Sequence, residues 1–192
     1  MTAAGPPLGR EFFDRPPREV AGGLIGCTLL HGGVGGTIVE TEAYERDDPA
    51  CHAYGGPTAR NAPLFGPPGM TYVYLCYGIH SMFNLVTETE GTAAAVLIRA
   101  LEPTAGIEVM RERRAAADLR ALCSGPGKIC QALGIELAQT GMDALAAPFR
   151  LLGPGPGERE IVSGPRVGLT KAADYPWRYC LADSPFLSRP AG

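Results

Sequence analysis

The 192-residue chain is short of several things at once, and each shortage removes a class of protein. Its six cysteines (Cys27, Cys51, Cys76, Cys123, Cys130, Cys180) include no Cys-x-x-Cys pair, which speaks against both a disulfide scaffold and a zinc ribbon. His31, His52 and His80 show no ligand spacing, so a metal site is not expected. No apolar run approaches the roughly 18 residues that a membrane-spanning helix needs. Residues 1–8 carry neither the charged region nor the apolar stretch of a secretory signal. The expectation is a cytoplasmic protein with reduced thiols, nucleoid-associated if bacterial, and without a membrane partner. Lysine is almost missing, with only Lys128 and Lys171, and the net charge of -3 denies the chain the basic surplus on which phosphate binding usually rests. However, Arg99, Arg111, Arg113, Arg114 and Arg120 fall in one segment, so a local basic face is expected in spite of the balance.

What is present fits one domain. A hydrophobic fraction of 45% and a charged fraction of 19% are ordinary for a globule of this length, which can bury a core without staples. Residues 1–9 hold no periodic pattern and read as a frayed tail, with residues 10–192 as the domain and regular structure beginning near Arg18. A short helix over 19–24 precedes strands at 27–31 and 37–44, joined through a glycine-rich turn. Residues 45–69 contain five prolines and four glycines and read as a long surface excursion. Residues 71–77 and 81–87, rich in β-branched and aromatic side chains, form a second predicted hairpin. A strand over 93–101 follows. Pro103 and Thr104 are expected to open a helix with apolar positions Ile107, Met110 and Leu119, and another is predicted over 129–133 behind Ser124-Gly-Pro-Gly-Lys128. Residues 161–169 suggest further strands.

Strand alternation assigns chemistry to faces. In residues 37–44 it puts Glu40, Glu42 and Tyr44 on one side and Val39, Thr41 and Ala43 on the other. In residues 71–77 it aligns Tyr72, Tyr74 and Cys76, leaving Tyr77 out of phase at the turn, where an aromatic is costly unless something covers it. Arg99 is the one charge in an apolar strand, and a buried guanidinium needs a carboxylate; Glu42 is a candidate. Taken singly, each has a plain explanation: edge carboxylates solvate, tyrosines pack, an arginine staples a sheet.

Taken together in order and spacing, Val39-Glu-Thr-Glu-Ala-Tyr44, His52, Arg60-Asn61, residues 72–84, residues 97–103 and Cys123-Ser-Gly-Pro-Gly-Lys128 resemble the alkyladenine (3-methyladenine) DNA glycosylases, over about residues 18–185. The resemblance implies a compact α+β domain built on a curved, open-barrel-like antiparallel sheet with flanking helices and a protruding hairpin, acting as a monomer without a cofactor on double-stranded DNA containing damaged purines. It implies that Glu42 is the general base, that Arg99 and the carbonyl of Val167 position the attacking water, and that Tyr44, His52 and Tyr74 clamp the flipped base. Two tyrosine faces suit an alkylated, cationic purine. Asn84 matches a residue that crowds the exocyclic amine of guanine, with Leu97 packed beneath the pocket. Tyr77 matches the wedge that fills the gap left in the minor groove. Arg60 and Lys128 are assigned to DNA, Lys128 by a helix-start turn able to hold a phosphate. Neither lysine falls in this pocket, so the nucleophile is expected to be water rather than an amine.

Two rival readings have other chemistries. A non-catalytic binder of distorted DNA would use Tyr77 alone, and the Glu42 and Arg99 pair argues against it. A thiol nucleophile at Cys51 with His52 as base lacks an evident third group, and residues adjacent in a strand rarely face each other.

Overall fold

The computed structural model describes residues 4–191. Among them, eight strands form one curled antiparallel sheet: β1 (Thr28–His31), β2 (Val34–Tyr44), β3 (Thr71–Cys76), β4 (His80–Thr87), β5 (Ala94–Ala105), β6 (Phe149–Leu152), β7 (Ile161–Gly164) and β8 (Arg178–Leu181). The neighbours run β3-β4-β5-β2-β1-β6, and β2 branches. Its first half pairs with β1, its second half with β8, and β5 lies along its other edge. Glycine makes the crowding on β2 possible. A Cβ on Gly35 would sit 2.0 Å from the Leu29 carbonyl oxygen, and one on Gly36 would sit 1.9 Å from that of Glu102. These α+β elements, one sheet with helices against it, have the fold class implied by the resemblance.

Among the described residues, five α-helices flank the sheet: α1 (Arg10–Phe13), α2 (Pro17–Leu24), α3 (Ile107–Arg114), α4 (Leu119–Leu122) and α5 (Pro126–Leu133). In α2, Pro17 fits the first turn, where its missing N–H costs nothing, and Val20, Ala21 and Leu24 form a buried stripe against β2. In α5 the same logic places Pro126 at the start, Ile129, Cys130, Ala132 and Leu133 against the interior, and Gly134 in the left-handed cap. Phe13, Phe83, Leu85, Ile98, Leu101 and Met110 are fully buried in the main apolar cluster. No described helix is long and apolar enough to cross a membrane.

Six expectations need correction. β5 does not stop at residue 101 but runs to Ala105, because Pro103 lies opposite Gly36, where the missing Cβ admits the strand. The helix opens only at Ile107, after left-handed Gly106, and ends at left-handed Ala115, so Leu119 belongs to the separate α4. Of the tail, residues 1–3 lie outside the described residues, whereas Gly5 and Leu8 donate to the carbonyls of Gly153 and Leu151 along β6. Regular structure starts with α1, not near Arg18, and Phe13 is its buried anchor. Finally, Arg99 contributes nothing to a basic face, being buried, while Arg111 pairs with Glu108 and Arg113 caps the Ala132 carbonyl. The strand expected over 161–169 stops at Gly164.

Candidate active site

Along the middle of β2 the ladder with β5 is distorted. Ile38 pairs with Leu101 and Thr41 with Ile98, but Glu40 pairs with Ala100, leaving Val39 and Arg99 without partners. Irregularities of this kind re-aim side chains next to functional sites. Here they bring two carboxylates to one guanidinium. Arg99 donates from Nε to Glu40 Oε1 at 2.9 Å and from Nη1 to Glu42 Oε2 at 3.3 Å. Both glutamates are fully buried, and Arg99 is nearly so.

Glu42 is held from three directions. Its Oε2 accepts from the Tyr44 hydroxyl at 2.8 Å as well as from Arg99, and its Oε1 accepts from the Val167 backbone N–H at 2.7 Å. The structure thus brings Val167 beside Glu42, with its amide on the carboxylate. Burial and the neighbouring Glu42 charge raise the Tyr44 phenol above its usual range, so it stays a donor. Arg166, one residue before Val167, donates to both Asp48 oxygens and to the Ala43 carbonyl, and its guanidinium lies over the Tyr44 ring, 4.6 Å from the centroid. This pair fixes the 165–168 loop against Glu42 and supports Tyr44 from behind.

Tyr44 joins this centre to a cleft. Tyr44, Cys51, His52, Leu64, Tyr72, Tyr74, Asn84 and Ala95 line a space of about 280 Å³, its open mouth included. Alternation on β3 brings Tyr72 and Tyr74 to one side, with ring centroids 5.6 Å apart, and the 45–69 excursion delivers His52 edge-on to Tyr74 at 4.3 Å. His52 Nδ1 is 3.0 Å from the Tyr72 hydroxyl. Burial, with the nearby Arg60 charge, lowers the His52 pKa from its ordinary 6.5, so the ring is neutral at physiological pH. Asn61 pins this loop: its amide donates to the His52 and Gly56 carbonyls and accepts from the Thr58 N–H. On β4, Asn84 donates to the Tyr72 and Met82 carbonyls, which fixes its side chain at the cleft wall.

The remaining expected residues divide. Leu97 is buried opposite both Glu42 and Asn84, but the cleft itself meets Ala95 two residues earlier. Tyr77 stands at the β3–β4 turn with positive φ and 93% of its surface exposed, with Ile79 beside it at 73%. Arg60 is exposed and donates to the Leu75 carbonyl on the hairpin, and Lys128 Nζ donates to Ser124 Oγ at the start of α5. Sequence reasoning missed Tyr72 as a cleft wall, Asp48 and Arg166 as a buried pair, and Ser188. For Tyr72 the signal was there, since it shares a face with Tyr74. The thiol reading loses support: burial raises the Cys51 pKa above its ordinary value, and His52 Nδ1 is engaged by Tyr72.

The family model for the methylpurine-DNA glycosylases matches residues 11–185. A protein of Rhodopseudomonas palustris strain HaA2 is 61% identical over 188 residues, covering 98% of this chain and 93% of its own length. One of Bradyrhizobium diazoefficiens is 55% identical, covering 97% and 92%, and one of Granulibacter bethesdensis is 50% identical, covering 98% and 89%. Each carries the name "Putative 3-methyladenine DNA glycosylase". Such coverage defines the class as DNA glycosylase, a hydrolase of N-glycosyl bonds acting on DNA. Within that class, the chain belongs to the methylpurine-DNA glycosylase family.

Proposed function

We propose that this chain starts base excision repair by turning a damaged purine out of duplex DNA into the aromatic cleft and hydrolysing its N-glycosidic bond with water activated by Glu42. The observation that carries the reading is the setting of Glu42. It is fully buried, hydrogen-bonded by Val167, Tyr44 and Arg99, and joined through Tyr44 to a cleft lined by Tyr72, Tyr74 and His52. A carboxylate has about four acceptor positions. Three are used here, which leaves one for the nucleophile. Arg99, bonded to Glu42 Oε2, and the Val167 carbonyl help to hold the attacking water in place.

Tyr44, His52 and Tyr74 hold the extruded base, and a purine made cationic by alkylation gains from two phenol faces beside a neutral imidazole. Such a base is already a good leaving group, so orientation of water and sugar supplies most of the catalysis. The fixed Asn84 crowds the exocyclic amine of guanine and so disfavours the undamaged base, whereas 7-methylguanine still leaves because alkylation has weakened its bond to the sugar. Exposed Tyr77 enters the minor groove and offsets part of the few kcal/mol that extrusion costs. Arg60 and Lys128 contact the phosphates. The substrates are 3-methyladenine and 7-methylguanine, extending to hypoxanthine or ethenoadenine where the leaving base can gain a proton. The protein works as a cytoplasmic monomer.

The test is release of free base, at single turnover, from duplexes carrying each of these lesions, with wild-type protein and Glu42→Gln. Release by wild type and its loss in the variant, with damaged duplex still bound, is the expected outcome. Equal rates would sink the mechanism, and binding without release by either protein would leave a non-catalytic damage binder.

A further inference from the structure

The reaction above gives no part to Glu40, Arg178 or Ser188, yet they are tightly bonded directly behind it. Glu40 accepts four hydrogen bonds: on Oε1 from Arg99 Nε at 2.9 Å, Arg178 Nε at 2.8 Å and the Ser188 hydroxyl at 2.7 Å, and on Oε2 from the Ser188 N–H at 2.6 Å. Arg99 Nη2 lies 3.2 Å from Ser188 Oγ. Arg178 also donates to the carbonyls of Arg189 and Pro190, so the segment following β8 is tied across the back of Arg99. Burial by itself would raise the Glu40 carboxyl, but the Ser188 N–H and the Arg99 charge more than reverse this.

Two glutamates thus face two arginines, and the arrangement is uneven. Arg99 is closer to Glu40 than to Glu42. Guanidinium and carboxylate groups prefer bidentate pairing when nothing opposes it. Released from Glu40, the Arg99 fork would turn onto Glu42 and cover the acceptor position that a water needs.

We propose that Glu40, fixed by Ser188, is a positioning residue for the water-activating pair: it holds Arg99 side-on through Nε, so that a single Nη reaches Glu42 and one Glu42 acceptor position stays open. The inference rests on the proposed role of Glu42. It assigns the Ser188 segment a place in the active site.

The experiment compares Ser188→Ala, Ser188→Thr, Glu40→Gln and Glu42→Gln. It reads single-turnover release of 7-methylguanine from duplex DNA, and affinity for the same duplex with a tetrahydrofuran abasic analogue at the lesion. Misplacement of a catalytic group by about 1 Å can cost about 100-fold. Glu40→Gln is expected to lose on that order and Ser188→Ala about tenfold, while Ser188→Thr, which keeps the hydroxyl, recovers most of the loss. Affinity for the abasic duplex changes by less than about threefold in all of them, because the DNA contacts lie elsewhere. A folded Glu40→Gln releasing base at the wild-type rate overturns the proposal, as does a Ser188→Ala defect that Ser188→Thr shares in full or that affinity loss accounts for. If Glu40→Gln does not fold, the Ser188 pair decides alone. Should Glu42→Gln also retain wild-type release, the proposed function has failed; an inactive Glu42→Gln beside wild-type Glu40→Gln and Ser188→Ala overturns this inference only.

Discussion

The strands β2 and β5 bury two sets of side chains by opposite means. Toward the main cluster they contribute Ile38, Ala43, Val96, Ile98 and Leu101, which pack with Phe83, Leu85 and the stripes of α2 and α5. At the proposed active site they bury Glu40, Glu42 and Arg99, closed by Arg178, Ser188 and Val167. In the first set, burial itself is favourable, at about 25 cal/mol per Å² of apolar area, and no partner needs a particular angle. In the second, burial is a penalty of several kcal/mol per ion that attraction recovers only when donors and acceptors meet in good geometry. The apolar set stabilises the fold, whereas the ionic set costs stability that has to be recovered through placement. A site that needs a carboxylate aimed to within a few tenths of an ångström is built from the directional interaction.

The contrast can be broken at several points. The largest effect is expected from Glu42→Gln, with a single-turnover rate lower by about 10² to 10⁴, the range that loss of the proposed general base would cost. Phe83→Ala acts on the other set. Phe83 is fully buried and stacks on Phe149 at 5.4 Å, so its loss should cost about 3–5 kcal/mol in denaturant unfolding, with activity per folded molecule retained. Asp48→Asn tests whether an ionic pair can be both structural and catalytic. Leaving Arg166 buried and uncompensated should cost about 3–5 kcal/mol and also lower the excision rate through the Val167 loop. An unaltered rate would separate that loop from catalysis.

Acid provides a smaller test without mutation. The Glu40 pKa in the folded chain lies below its ordinary 4.5, so the unfolded chain binds its proton first as pH falls. Its contribution to stability is complete above about pH 4.5 and is lost as pH drops through the lower, folded value. Melting temperature against pH should show this fall, and Glu40→Gln should flatten that part of the curve. The smallest effects belong to the surface: Arg60→Ala and Lys128→Ala should each reduce the salt dependence of DNA affinity by about one phosphate contact, leaving the rate of the bound complex unchanged. No change in slope would remove that residue from the interface.

How much of this could be read from the chain depends on sequence distance. The face shared by Glu40, Glu42 and Tyr44, the exposure of Tyr77 at a turn, and the need of Arg99 for a carboxylate all follow from alternation within single strands. Arg99 does meet Glu42, but two local distortions also brought in Glu40 on the shorter contact, and no pattern within one strand signalled that second partner. Ser188 carried no signal at all: it lies 148 residues from Glu40, and a serine in a proline-bearing segment reads as loop. Asp48 and Arg166 are 118 residues apart, and each alone reads as solvated surface. The extension of β5 past residue 101 was hidden because a proline ordinarily ends a strand, and only Gly36 across the ladder permits it.

By itself, the amino-acid order determined which residues could face one another along a strand, where the turns fall, and which family the chain is similar to. These are matters of a two-residue period and of local backbone chemistry. Tertiary structure alone decided which charge meets which carboxylate and what closes the site from behind. Those choices are made by closing long loops, and the energy that selects among them comes from groups that are strangers along the chain.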